Sequence, residues 1–85
     1  MKVKFSKRFV DEYAKLDRPM QKRVDRKILL LSQNIRHPGL GVKKMVNQTS
    51  IYEARVDIHN RVTFEVQDDT VFMRRVGTHE IYRKP

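Results

Sequence analysis

The chain has no cysteine among its 85 residues. Disulfides, thiolate zinc sites and cysteine nucleophiles are therefore excluded, and that usage fits a cytoplasmic protein. No stretch approaches the roughly twenty apolar residues that span a bilayer, so a membrane partner is not expected. The opening MKVKFSKRF carries charge without an apolar run, so no secretory signal is expected. Glycine and proline number three each, and no repeat, linker or low-complexity segment divides the chain. Glycine-rich phosphate loops and dinucleotide fingerprints are missing as well. The length sets one domain, residues 1–85, with a modest core.

Acidic side chains are scarce. Ten Asp and Glu stand against nineteen Lys and Arg, a net charge of +9. The excess is lopsided. Residues 1–50 hold thirteen basic and four acidic side chains, whereas residues 51–85 hold six of each. Such a split points to a polyanionic partner, either nucleic acid or an acidic protein, against the plainer reading of a soluble basic surface.

Periodicity supplies the elements. Residues 2–5, KVKF, alternate and predict a strand, and Ser6 follows as an N-cap. Phe9, Val10, Tyr13 and Leu16 then line one side of a helix. Asp17-Arg18-Pro19 breaks the chain and restarts it, because proline fits a first helical turn. Met20, Val24, Ile28, Leu31 and Ile35 recur at helical spacing. Lys22, Arg23, Arg26 and Lys27 fall off that stripe and form a basic face. His37-Pro38-Gly39 ends the helix. A short strand is expected over residues 42–46 and a turn over 47–50. Residues 52–58 alternate, with Glu53, Arg55 and Asp57 on one side and Tyr52, Ala54, Val56 and Ile58 on the other. His59-Asn60 is the expected turn. Val62, Phe64 and Val66 continue the apolar face, Asp68-Asp69 turns again, and residues 70–76 make a third strand. The tail GTHEIYRKP reads as a loop or a short helical turn. The order predicts an α+β domain: a small antiparallel sheet, a meander plus the N-terminal strand, with a two-helix hairpin on one face.

The residues able to carry chemistry gather in the second half. Glu53 and Arg55 share a strand face, and a hairpin at 59–60 brings Arg61 beside them. An acid and two guanidiniums in one place suit phosphate chemistry; a cross-strand salt bridge from Arg61 to Glu53 or Asp57 suits the same spacing. His79 follows Gly77 directly after the last strand, where a histidine serves as acid or base, or is a plain surface residue. Tyr82 either stacks on a base or packs on the core. Lys43 and Lys44 are candidate phosphate contacts or a solvated edge, and Arg74 joins Lys22, Arg23, Arg26 and Lys27 as a candidate RNA contact. His37, His59 and His79 lie far apart and lack ligand spacing, so no metal site is expected.

The combination of the helical hairpin, HPG, KK, YEARV, NRVTFEV and VGTHEIY resembles the RelE/ParE superfamily of toxins from bacterial type II toxin–antitoxin systems. The resemblance spans nearly the whole chain and rests on a moderately specific combination, no single motif being stringent. It implies a RelE-like fold and, for the RelE-like branch, metal-independent and ribosome-dependent mRNA cleavage with no cofactor. In that reaction the 2′-hydroxyl attacks the adjacent phosphate and leaves a cyclic phosphate and a 5′-hydroxyl. The implied roles are Glu53 as general base, Arg55 and Arg61 as phosphate clamps, and His79 as general acid, with base and acid interchangeable on this pattern. Tyr82 matches a late aromatic, although its spacing from His79 is shorter than in several relatives. The implied partners are ribosomal RNA, mRNA and a cognate acidic antitoxin. The ParE-like branch, which inhibits DNA gyrase, and a non-catalytic nucleic-acid-binding module remain the alternatives.

Overall fold

A computed structural model of the protein describes residues 1–45 and 50–85. Strand β1 (Lys2–Phe5) leads into helices α1 (Lys7–Ala14) and α2 (Arg18–Gln33). A 3-10 turn over Pro38–Leu40 precedes strands β2 (Lys43–Lys44), β3 (Tyr52–Arg55), β4 (Arg61–Gln67) and β5 (Thr70–Gly77), and a second 3-10 turn spans His79–Tyr82. Of the expected strand over 42–46, Lys43 and Lys44 are strand, while Val46 lies outside the described residues. Asn47, Gln48 and Thr49 of the expected turn lie outside them too. The helices end earlier than their apolar stripes, at Ala14 and Gln33, although Leu16 and Ile35 still pack on the core.

Both helices start where capping chemistry places them. The Ser6 hydroxyl accepts the Phe9 amide at 3.0 Å, and the Asp17 carboxylate accepts the Met20 amide at 2.9 Å. Pro19 sits in the first turn of α2, where its missing N–H costs no hydrogen bond. The buried faces of the helices, Phe9 on α1 and Val24 and Leu31 on α2, meet Ala54, Val62, Phe64, Val71 and Met73 from the sheet. Each fully buried aliphatic or aromatic side chain contributes about 1.5–3 kcal/mol. No helix among the described residues is long and apolar enough to cross a membrane.

The sheet order is β1-β5-β4-β3-β2, with β2 through β5 antiparallel as expected. The direction of β1 departs from the all-antiparallel expectation: it pairs with β5 in parallel, so the sheet is mixed. The cause is local. The Lys2 amide donates to Asp69 O in the β4–β5 turn, so β1 sets out from the same place as β5. At its other end, Ser6 donates its amide to Met73 O and its hydroxyl to Arg74 O. Beyond β1 the edge of β5 is closed by α1: the Glu12 carboxylate accepts the Val76 amide at 3.3 Å and pairs with Arg75 at 2.6 Å. A sheet edge that would otherwise be open is thus covered by a helix side chain.

Two turns differ in kind. The β4–β5 turn is the tight Asp68-Asp69 pair, and Asp68 takes φ 54°, a left-handed conformation that Asp tolerates. The β3–β4 connection is wider than a two-residue turn. Strand β3 stops at Arg55, and the amides of Val56 and Asp57 both donate to Asn60 O. A bulge also interrupts β5. Met73 and Arg75 face the consecutive residues Phe64 and Thr63, which leaves Arg74 as the extra residue.

Candidate functional site

The strand registers assemble two rows of side chains on the sheet face away from the helices. Lys43 pairs with Glu53, Glu53 with Thr63, and Thr63 with Arg75. The next row runs Arg55, Arg61 and Gly77. Adjacent rows on one face lie two residues apart along the strand, about 7 Å. Glu53, Arg55 and Arg61 are therefore neighbours on one face, as their alternation requires.

That face is less open than a row of charged side chains implies. Glu53 is only 5% exposed. Its Oε1 receives the Tyr82 hydroxyl at 3.4 Å and lies 3.5 Å from Lys43 Nζ. Both contacts fall on one oxygen, so Oε2 is free of them. Thr63 is fully buried, and its hydroxyl donates to Pro85 O at 2.7 Å. Arg74 Nε and Arg75 Nη1 donate to the carbonyls of Pro85 and Lys84. Residues 78–85 thus lie across the sheet as a cover, pinned by backbone carbonyls.

Glycine makes the cover possible. A Cβ on Gly77 would stand 2.9 Å from Ile81 Cγ2, so the missing side chain lets Ile81 seat fully buried at the end of β5. Ile81 lies inside the 3-10 turn that carries His79 and Tyr82, both exposed, on either side of it. The tail is thus the short helical turn that the sequence allows, and its anchor is an apolar residue that sequence reasoning missed. Gly41 plays a similar part for Arg55. It adopts φ 57°, and a Cβ there would meet the Arg55 guanidinium at 3.3 Å. Arg55 itself is exposed.

Arg61 makes neither of the salt bridges its spacing suggests. Its Nη1 donates to two main-chain carbonyls of the β3–β4 turn, Asp57 O and Asn60 O. The turn is held by the Asp57 carboxylate, whose Oδ1 accepts the amides of His59 at 2.9 Å and Asn60 at 2.8 Å and the Asn60 side-chain amide at 3.1 Å. Asp57 Oδ2 takes Arg23 of α2 at 3.3 Å. Burial alone pushes the Asp57 carboxyl up, but these hydrogen bonds, with the Arg23 charge, hold it below its ordinary value of 3.8. The D-x-x-N spacing of residues 57–60 was the available signal, since Asp turns back on amides two and three residues ahead.

The candidate RNA contacts divide. Lys22, Arg23, Arg26 and Lys44 are exposed, with Arg23 also tied to Asp57. Lys27 is half-buried and donates to Gly39 O at 3.3 Å. Lys43 stands on Glu53, and Arg74 pairs with Glu65 at 3.0 Å. Lys43 and Arg74 therefore belong to the organisation of the sheet face as well as to its charge.

Solved structures carry the same architecture. The RelB–RelE antitoxin–toxin complex of Methanococcus jannaschii matches with a TM-score of 0.75 at 23% identity, over 95% of each chain. The YoeB dimer of Staphylococcus aureus matches with a TM-score of 0.78 at 21% identity, over 93% of this chain and 97% of that one. A YoeB/ParE toxin from Agrobacterium tumefaciens matches with a TM-score of 0.80 at 13% identity, over 93% and 99%. No family model matches the chain, and no curated protein does. A likeness this complete at identities this low is one of fold, and the chain has the RelE-like α+β fold.

Proposed function

We propose that the protein is the toxin of a toxin–antitoxin system and acts as a metal-independent, ribosome-dependent mRNA endoribonuclease in the cytoplasm. The observation that carries this reading is the pair of adjacent rows on one sheet face: Glu53, a buried carboxylate whose Oε2 is clear of Tyr82 and Lys43, stands two residues along the strand from the cross-strand pair Arg55 and Arg61. Cleavage needs a base for the 2′-hydroxyl, cations for the phosphorane and an acid for the leaving oxygen. Glu53 takes the 2′-hydroxyl proton as that oxygen bonds to phosphorus. Arg55 and Arg61 bear the charge that develops on the phosphorane. The bond to the 5′ oxygen breaks, and His79, exposed at the start of the 3-10 turn, supplies its proton. The products are a cyclic phosphate and a 5′-hydroxyl. Tyr82 holds Glu53 and offers its exposed ring to a base.

The basic face of α2, with Lys22, Arg23, Arg26 and Lys27, docks on ribosomal RNA, and Lys43, Lys44 and Arg74 add charge nearer the sheet. A cognate acidic antitoxin is the second partner; the similar fold from M. jannaschii was solved as an antitoxin–toxin complex. Gyrase inhibition is the second reading, because the Agrobacterium toxin of similar fold is named for both YoeB and ParE. Induced expression followed by mapping of mRNA 5′ ends separates the two. New 5′-hydroxyl ends within codons, lost in His79→Ala, support the nuclease. Intact mRNA with stalled gyrase complexes supports the inhibitor, and RNA binding that persists without cleavage in both chains supports a non-catalytic module.

A further inference from the structure

We propose that Asp57 is a positioning residue for Arg61: its carboxylate builds the turn whose carbonyls hold the guanidinium in one orientation. The inference deepens the nuclease reading and rests on it for its catalytic consequence.

An arginine guanidinium carries five N–H donors, of which Nη1 has two. Arg61 Nη1 places its hydrogen bonds on Asp57 O and Asn60 O. The Nε hydrogen and one Nη2 hydrogen form the side edge that meets a phosphate with two parallel bonds. Anchoring through Nη1 therefore fixes the plane of the fork without spending that edge. A free arginine would lose several rotamers on binding, whereas one already held loses fewer.

The two carbonyls are placed by the turn, and the turn is placed by Asp57. Three donors converge on Oδ1, from the His59 amide, the Asn60 amide and the Asn60 side chain. The Val56 and Asp57 amides close the loop on Asn60 O, the same oxygen that receives Arg61. Asp57 is half-buried, so these bonds are partly shielded from water. On the far side, Arg23 of α2 reaches Oδ2. The turn that orients Arg61 is thus braced from the helix layer. Asp57 acts on the site through Arg61.

Side-chain nitrogen NMR on the full chain tests the geometry without requiring activity. In the wild type, rotation of the Arg61 guanidinium about Nε–Cζ is slow and its Nη resonances are distinct. In Asp57→Ala they average, while Asp57→Asn, which keeps the accepting oxygen, preserves them. Single-turnover cleavage on programmed ribosomes adds the function. Asp57→Ala lowers the cleavage rate about 10- to 100-fold with half-saturation unchanged, as expected for a misplaced catalytic group, and Asp57→Asn restores most of it. In an Arg61→Ala background, Asp57→Ala has no further effect. Where Asp57→Ala does not fold, Asp57→Ser carries the same comparison, since a hydroxyl supports such a turn more weakly. An Arg61 equally restrained in Asp57→Ala, or a full additional loss in the Arg61→Ala background, overturns the proposal. A wild type that cleaves no RNA defeats the nuclease reading instead, and the NMR comparison still decides whether Asp57 orients Arg61.

Discussion

The two halves of the chain use the same cations in different ways. In residues 1–50 the excess charge is carried largely by side chains that reach solvent: Lys22, Arg23, Arg26 and Lys44 are all exposed. In residues 51–85 the charges balance, and three of the arginines are tied down. Arg61 rests on turn carbonyls, Arg74 on Glu65, and Arg75 on Glu12. Arg55 is exposed but lies along Gly41. An exposed cation on a flexible stem adds attraction that salt screens, whereas a restrained guanidinium adds geometry. The helical half is therefore suited to affinity and the sheet half to placement.

That contrast breaks first at Arg61. Arg61→Ala is expected to lower mRNA cleavage about 100- to 1,000-fold, the usual loss for one transition-state donor. Ribosome binding, followed by co-sedimentation, is expected to change far less. If binding and cleavage fall together, the division of labour is wrong.

Gly77→Ala comes next. The new Cβ meets Ile81 Cγ2 at 2.9 Å, so the cover over the sheet must shift. Overpacking of this kind costs about 1–3 kcal/mol. Denaturant unfolding measures that cost, and the assigned NMR ring resonances of Tyr82 report whether its hydrogen bond to Glu53 has loosened. An unchanged midpoint means that the 3-10 turn is not anchored by Ile81.

A smaller effect sharpens the other half. Replacing Lys22 and Arg26 by alanine is expected to reduce the salt dependence of ribosome binding, with the logarithmic slope falling by about one for each phosphate the variant no longer neutralises. The same slope in the variant would assign docking to another surface.

The smallest effect is in acid. The folded-state pKa of Asp57 lies below its unfolded value. Its stabilising contribution is therefore complete above the unfolded value, 3.8, and is lost as pH falls through the folded one. Asp57→Asn has no such contribution. The gap in stability between wild type and variant should be open at pH 6 and close below pH 3.8, read by thermal melts across that range. A gap that widens in acid would have the wrong sign.

The legible and the hidden parts of the site follow the same physics. Strand alternation with a short connection forces Glu53, Arg55 and Arg61 onto one face, so their proximity could be read from spacing. Pairing direction could not. Nothing local in KVKF states that it will lie parallel to β5, because that depends on a turn more than sixty residues away. The burial of Glu53 was hidden for a similar reason: it requires Tyr82, twenty-nine residues further on, to fold back over the sheet. The anchoring of Arg61 was hidden because its partners are main-chain carbonyls, and a carbonyl leaves no trace in residue type. The cross-strand bridge to Glu53 or Asp57 was the natural inference from side chains alone. The helix caps at Ser6 and Asp17 were legible because both donor and acceptor lie within three residues.

In the proposed reaction a restrained Arg61 beside Glu53 serves a single scissile phosphate. Mapping of mRNA 5′ ends after induction, in wild type and Arg61→Ala side by side, tests it most directly. The wild type is expected to give 5′-hydroxyl ends within codons, and Arg61→Ala to lose them. The same ends at the same abundance in both, or intact mRNA in the wild type, would contradict it.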